Sequence, residues 1–405
     1  MRKKVLPALF AFSLFFALFP LNPANAHSQP EKEWTFLIYL NGNNSLDSFG
    51  AQNLSQMEKV GSTDQINIVV QWASLASKKV ERLYIQKGND PSKITSPVIQ
   101  DLGSVDMGDW KTLEQFIQWG VAAYPAQHYF INVWDHGSGW HDIRSMSMFP
   151  MALRPMDISW DDNTGHSITT QELGQVMADA TKFIGHKVDI YGSDACLMAM
   201  AEVAEQMSGS VGVFVGSEET EPGAGWPYDT FLKRWVANSS MTAEQVGAAL
   251  VNEYAKSYEG GSNGTEEVTF SAFNLDKMGE LNQAVALLGE KLSTLDKAAR
   301  AQIVSGIGNT QTFTDSDYGD LGDFANAIDQ AKIPELDAKS IANVKQAIQD
   351  FVIANGVTPR YSKAMGVSIW LPADLDTYNS YADKYHMLKF QSVTKWGDAL
   401  RYILQ

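Results

Sequence analysis

Six short runs of the chain are apolar almost from end to end, and segments with helical spacing separate most of them. WTFLIYLNG (34–42), INIVVQWA (66–73), ERLYIQ (81–86), HYFINVWDHG (128–137), KVDIYGSDAC (187–196) and VGVFVGSEE (211–219) are rich in β-branched and aromatic residues and run into polar turns. Such runs read as strands buried on both faces. Between them, DWKTLEQFIQWGVAAYP (109–125) carries apolar residues at helical spacing and closes at Pro125. TTQELGQVMADA (169–180) opens with the Thr-x-x-Glu pattern of a capping box, and LMAMAEVAEQM (197–207) reads as a helix directly after its strand. Strands that alternate with helices imply βαβ units, hence an α/β fold with a mostly parallel sheet covered on both faces. Beyond residue 240 the pattern is mainly helical, with EVTFSAFNL (267–275) and AMGVSIWLP (364–372) as the clear strands. The linker signal EGGSNGTEE (259–267) is weak. A core over 27–258 is therefore expected, with a mainly helical portion over 259–405 packed on the same domain.

Residues 1–26 have a different character. Arg2, Lys3 and Lys4 precede an apolar run, and Ala24-Asn25-Ala26 closes it as a small-x-small site. That is the layout of a secretory signal peptide cut after Ala26. The run is short for a bilayer span, and no later segment is apolar enough to cross one. The mature chain is expected to be soluble, secreted or periplasmic, and monomeric, with no membrane attachment once the leader is gone. The net charge of −16 becomes more negative when the three basic leader residues are removed. An acidic surface argues against nucleic acid as a partner and is compatible with cationic substrates, although solubility alone explains it equally well.

Cys196 is the only cysteine in 405 residues. Exported proteins use cysteines in pairs, so a single one is a buried passenger, an intermolecular link or a reactive thiol. In open parallel sheets, ligands gather beyond the carboxyl ends of the strands. Three strands end in polar, glycine-bearing turns, at 135–140, 192–196 and 217–223. If these strands are neighbours, His136, Cys196 and the acidic loop converge on one crevice. Placed at a strand-to-helix junction, Cys196 would have its thiol pKa lowered by the helix N-terminus; the alternative is a small residue filling a tight turn. Asp194 either caps that helix or points into the crevice as a fixed charge. His136 is either structural or functional, and Gly137 beside it leaves backbone room for a substrate carbonyl.

Other candidates carry less. His128, His166, His186 and His386 lie in contexts without a catalytic pattern. His141 lies near His136, but HGSGWH off a strand is not the helical His-Glu-x-x-His arrangement and no carboxylate ligand stands out, so no metal site is assigned. Asp161-Asp162-Asn163-Thr164-Gly165 with Glu172 imitates a calcium loop whose glycine comes one place early, and Asp315, Asp317, Asp320 and Asp323 fail the same spacing. No cofactor is required on this reading; a structural Ca2+ is left open.

Together, Asp-His-Gly-Ser-Gly-Trp at 135–140, Asp-Ala-Cys-Leu-Met at 194–198 and Ser-Glu-Glu-Thr-Glu-Pro-Gly-x-Gly-Trp-Pro-Tyr at 217–228 resemble the clostripain family of cysteine peptidases. That family belongs to the wider caspase, legumain and gingipain group. The resemblance is specific over residues 34–238 and diffuse beyond. It implies a three-layer α/β/α sandwich of the caspase type, with His136 as general acid/base and Cys196 as the nucleophile that forms an acyl-enzyme. It also implies oxyanion donors at the amides of Gly137 and Cys196. An S1 pocket lined by Asp194 is implied as well, with Glu218, Glu219 or Glu221 as candidates to assist, for protein or peptide substrates with Arg or Lys at P1. Some members cut their own chain between the two motifs as zymogens. Here that interval contains Arg144 and Arg154, and Arg144 is the better site because Pro155 follows Arg154. The competing readings are a catalytically inactive secreted binding protein of the same fold and a metal-dependent hydrolase.

Overall fold

A computed structural model describes residues 31–88, 90, 93–141 and 157–405. The leader and the two candidate self-cleavage sites, Arg144 and Arg154, lie outside the described residues.

The centre is a nine-stranded sheet. Its strands in chain order are β1 (Lys32–Gly42), β2 (Ile66–Ser74), β3 (Lys79–Tyr84), β4 (Val98–Gly103), β5 (Ala126–Trp134), β6 (Val188–Asp194), β7 (Val211–Gly216), β8 (Thr269–Asn274) and β9 (Val352–Val357). Across the sheet the order is β9-β8-β7-β6-β5-β1-β2-β3-β4. The middle five, β7 to β2 in that order, are mutually parallel. Antiparallel pairs finish both edges. Side chains alternate between two cores: Leu37 and Tyr39 of β1 enter one, while Phe36, Ile38 and Leu40 enter the other. Burial on both sides is why these strands read as unbroken apolar runs, and each large side chain so buried contributes about 1.5–3 kcal/mol.

Helices α1 (Asp47–Glu58), α5 (Tyr228–Val236) and α6 (Ala243–Tyr258) cover one face, through Leu54, Phe231, Trp235 and Leu250. On the other lie α2 (Trp110–Ala123), α3 (Thr170–Ile184) and α4 (Ala201–Met207), through Phe116, Leu173 and Val203. The predicted capping box is present: Thr169 accepts from the Glu172 N–H, and the Glu172 side chain returns to the Thr169 N–H. The chain after residue 259 adds β8 and β9 to the sheet edge and seven helices, α7 (Met278–Leu292), α8 (Lys297–Asn309), α9 (Leu321–Gln330), α10 (Ala338–Phe351), α11 (Leu375–His386), α12 (Lys389–Thr394) and α13 (Trp396–Leu404). Leu281, Ile303, Phe324, Val344, Tyr385, Phe390 and Leu400 from these helices join the same core as α2 to α4.

Two sequence expectations need correction. The run 364–372 supplies only a three-residue strand, Ser368–Trp370, paired with Tyr318–Asp320 outside the main sheet. The sheet strand is instead Val352–Val357, which follows α10 without a break inside the portion expected to be mainly helical. Likewise the helix expected from Leu197 begins only at Ala201. Residues 198–200 are held extended: Ala199 N–H donates to the Ser217 carbonyl, and Met200 bridges to Ser368. Local propensity yields here to partners that are remote in sequence.

Candidate active site

Strands β5 and β6 are parallel neighbours, and their register pairs Trp134 with Asp194. His136 and Cys196 each lie two residues beyond that pair, so the topology brings the two loops together at the carboxyl end of the sheet. The Asp135 N–H extends the pairing by donating to the Asp194 carbonyl at 3.2 Å. Gly137 lies where the loops touch. A Cβ there would stand 2.6 Å from the Cys196 carbonyl oxygen and 3.0 Å from the Ala195 methyl, so only glycine permits this approach. His136, Cys196, Asp194, Glu221, Ser45 and Thr314 all line one crevice of about 430 Å³. A single bridge joins Gly137 to Ile158, and its bonds flank it: Ser138 N–H to the Asp157 carbonyl, Ser159 N–H to the His136 carbonyl. The Gly137 N–H is therefore not used by that ladder.

Cys196 sits in a turn whose next residue, Leu197, has φ of 64°, and four residues separate it from α4. The expected helix N-terminus is thus absent from the thiol. Burial pushes the Cys196 thiol up to about 12, and the nearby Glu221 and Glu219 carboxylates add to the rise. Opposing this, the Glu221 N–H points at the sulfur, 3.3 Å away, and would favour a thiolate. Burial also lowers His136 to about 4, while its Nε2 lies 2.9 Å from the Ser45 hydroxyl. Both groups are therefore neutral at pH 7. The arrangement suits a thiol that gives up its proton as reaction begins rather than a standing ion pair.

Asp194 cannot cap α4, which starts seven residues later, and instead lines the crevice. Tyr228 Oη donates to its Oδ2 at 2.7 Å. Burial raises the Asp194 carboxyl to about 7, against the lowering effect of the Tyr228 and Glu221 hydrogen bonds. Glu221 stands beside it with both carboxyl oxygens shielded from solvent, and burial followed by the Asp194 charge holds it well above the usual carboxylate range. Gly225, at φ of 60°, closes the pocket: a Cβ there would stand 3.0 Å from Asp194 Oδ1. The other two acids of the loop do not line the crevice. Glu219 accepts from Tyr361 Oη at 2.7 Å and the Thr314 N–H at 3.2 Å, so it fastens the loop. Glu218 is fully buried, and burial together with neighbouring Asp320 pushes its carboxyl well up.

Ser45 was not singled out from the sequence. The only signal was the polar tail NGNNS at the end of β1, and nothing local says that β1 lies beside β5. None of His128, His141, His166, His186 and His386 lines the crevice. His128 pairs with Asp189 at 2.8 Å, His166 with Asp106 at 2.6 Å, and His141 stacks on Tyr381 with centroids 4.1 Å apart. In the calcium-like loop the Asp161 carboxylate accepts from Asn43 Nδ2 and from the N–H groups of Met107 and Asn163. Its oxygens serve the loop's own structure.

The family model of the clostripain family, Peptidase_C11, matches residues 38–402. Clostripain of Hathewaya histolytica is 24% identical over 320 residues, which cover 68% of this chain and 59% of that protein, so the chain spans well under two thirds of that relative's length. Among solved structures, a secreted C11 cysteine protease from Bacteroides thetaiotaomicron, in complex with an irreversible peptide inhibitor, superposes with a TM-score of 0.68 at 19% identity. The match covers 90% of this chain and 99% of that one. An inactive zymogen C11 protease from Parabacteroides distasonis gives the same TM-score and coverage at 20% identity. These likenesses establish the caspase-type α/β/α fold, and the match over nearly the whole chain establishes the rest: the protein belongs to the clostripain family.

Proposed function

We propose that this chain is an exported cysteine endopeptidase that cleaves after Arg or Lys. The observation that carries the reading is the convergence of His136 and Cys196, each two residues beyond a paired position on adjacent parallel strands, in one crevice with Asp194 at its wall. His136 takes the thiol proton as Cys196 attacks the scissile carbonyl. The oxyanion is met by the amides of Gly137 and Cys196. His136 then protonates the leaving amine, and water hydrolyses the acyl-enzyme with His136 as base. Neutral resting forms fit this sequence, because the imidazole is free to accept the proton.

Asp194, with Glu221 beside it, supplies the negative charge for a basic P1 side chain. A cation entering the pocket favours ionisation of both carboxyls and gains charge-assisted hydrogen bonds worth on the order of 1.5–3 kcal/mol each. Export rests on the composition of residues 1–26, and among the described residues no helix is long and apolar enough to cross a membrane. The enzyme is proposed to act as a monomer and without a cofactor, and Arg144, with Arg154 second, is the proposed site of self-processing.

The test is release of a fluorophore from peptides ending in Arg, Lys, Asp or Asn, with and without iodoacetamide, beside Cys196→Ala and His136→Ala. Cleavage after Arg or Lys that alkylation and either substitution abolish is the expected result. Cleavage after Asp or Asn would discard the assigned pocket and keep the dyad. Silence from folded protein, whether or not the chain is cut in the 141–157 interval, would favour a binding protein of the same fold.

A further inference from the structure

The resemblance supplies a two-residue catalytic unit, yet a third side chain touches it. Ser45 Oγ lies 2.9 Å from His136 Nε2, at the rim of the crevice that Cys196 also lines. One bond to an exposed serine would mean little if the loop that carries it were loose. That loop is not loose. Residues 41–44 are buried, and their side chains are committed. Asn44 Nδ2 donates to Asp135 Oδ1 at 2.5 Å and to the Trp160 carbonyl at 2.8 Å, while Asn44 Oδ1 accepts from the Leu46 N–H at 2.9 Å. Asn41 Nδ2 reaches Asp135 Oδ2 at 3.0 Å, and Asn43 Nδ2 reaches Asp161 at 2.8 Å. The asparagine amide that braces the residue before Ser45 is thus bonded to the carboxylate of the residue before His136. A single short path through Asp135 and Asn44 sets the distance between hydroxyl and ring.

We propose that Ser45 is a positioning residue for His136: by engaging Nε2 it fixes the ring, and leaves Nδ1 as the nitrogen that takes the Cys196 proton. In the neutral tautomer that can take the thiol proton at Nδ1, Nε2 carries the hydrogen and donates to Ser45 Oγ; in the other tautomer the hydroxyl donates to Nε2 instead. When Nδ1 receives the thiol proton, the ring becomes an imidazolium and the same Nε2–H···Oγ bond becomes charge-assisted, hence stronger. No atom is gained or lost at Ser45 through the cycle. The bond is favoured most when His136 is charged, so it also raises the ring's affinity for a proton.

The proposal rests on the dyad reading, and the experiment separates the two. Ser45→Ala, Ser45→Thr, His136→Ala and Cys196→Ala are compared in the full chain by kcat, KM and pH profile on an Arg-peptide substrate, with thermal melting to verify folding. Ser45→Ala is expected to lower kcat roughly tenfold, the rate equivalent of one hydrogen bond, with KM unchanged. The limb of the profile governed by His136 is expected to move to lower pH, and Ser45→Thr, which keeps the hydroxyl, to recover most of the rate. Wild-type kcat and pH profile in Ser45→Ala, or equal impairment in the Ala and Thr variants, would overturn the positioning role while the dyad stands. Full activity in His136→Ala or Cys196→Ala would overturn the dyad itself, and Ser45 with it.

Discussion

The two loops that meet at the crevice are built on opposite principles. The His136 loop is clamped by polar groups. Asp135, buried and pushed well above the usual carboxylate range by that burial, accepts from Asn41 and Asn44, and both asparagines also reach the Trp160 carbonyl. The Cys196 loop is clamped by packing. Ala195, Leu197, Met198, Ala199 and Met200 are all buried, and their backbone leans on neighbours: Leu197 N–H on the Glu219 carbonyl, Ala199 N–H on that of Ser217, and the Ala199 carbonyl on Ser368. Glu219 is itself held by Thr314 and Tyr361. His136 is thus held mainly by asparagines from the amino-terminal end of the chain, and Cys196 by the 217–221 loop, which Thr314 and Tyr361 of the carboxy-terminal portion help to hold, with Ser368 on Ala199. That division gives residues 259–405 a part in shaping the crevice although neither His136 nor Cys196 lies among them.

The joint between the loops is where the contrast breaks most easily. Gly137→Ala places a methyl 2.6 Å from the Cys196 carbonyl and must push the loops apart. A displacement of this kind costs on the order of a hundredfold in kcat/KM, read by peptide hydrolysis with circular dichroism to verify folding. Wild-type activity in that variant would mean that the two loops do not need to touch. Asp194→Asn is next: kcat/KM on Arg substrates should fall about 10- to 150-fold, the loss of one charge-assisted hydrogen bond, with little change at neutral P1 residues.

Two variants probe the clamps themselves. Asn44→Ala removes one of the two asparagine donors to Asp135 and one of the two to the Trp160 carbonyl, and should cost about 1–3 kcal/mol in urea unfolding, at about 0.5–1.5 kcal/mol for each lost bond. Tyr361→Phe removes a single hydroxyl from Glu219 and should cost about 1 kcal/mol. The contrast is sharpened by alkylation. Iodoacetamide should report a larger change in Cys196 reactivity in Tyr361→Phe, which loosens the thiol's own loop, than in Asn44→Ala, which acts on the thiol only through His136. The reverse pattern would exchange the roles assigned to the two halves.

The smallest effect is in pH. With the Asp194 carboxyl raised to about 7, its ionised form is the one proposed to receive a basic side chain, so kcat/KM on Arg substrates is expected to climb with pH and level off above about 7. Asp194→Asn should abolish that rise. Stability should move the other way. Between about pH 4 and 7 the folded chain holds a proton that the unfolded chain has already released, so ionising Asp194 costs stability as pH increases.

How much of this was legible beforehand depends on the range of the forces involved. The strands β1, β2, β5, β6 and β7 and the helices α2 and α3 follow from local apolar periodicity and a capping box. His136, Cys196 and Asp194 follow from motifs at the carboxyl ends of strands. Where local pattern misleads, distant partners decide. Residues 197–200 have helical propensity, but Leu197 sits in a left-handed turn and 198–200 are held extended by Ser217 and Ser368, and this removes the helix dipole from Cys196. Of the three loop glutamates, only Glu221 reaches the crevice, because Glu219 is drawn to Tyr361, 142 residues away.

By itself, then, the sequence determined that this chain forms a parallel-centred α/β sheet with a histidine and a lone cysteine at strand ends, because spacing and burial pattern are properties of short segments. Only the tertiary structure decided that β1 lies beside β5, that Ser45 therefore meets His136, and that burial holds the thiol and the imidazole neutral. Strand order and desolvation are set by which segments pack together, and no local stretch of residues carries that information.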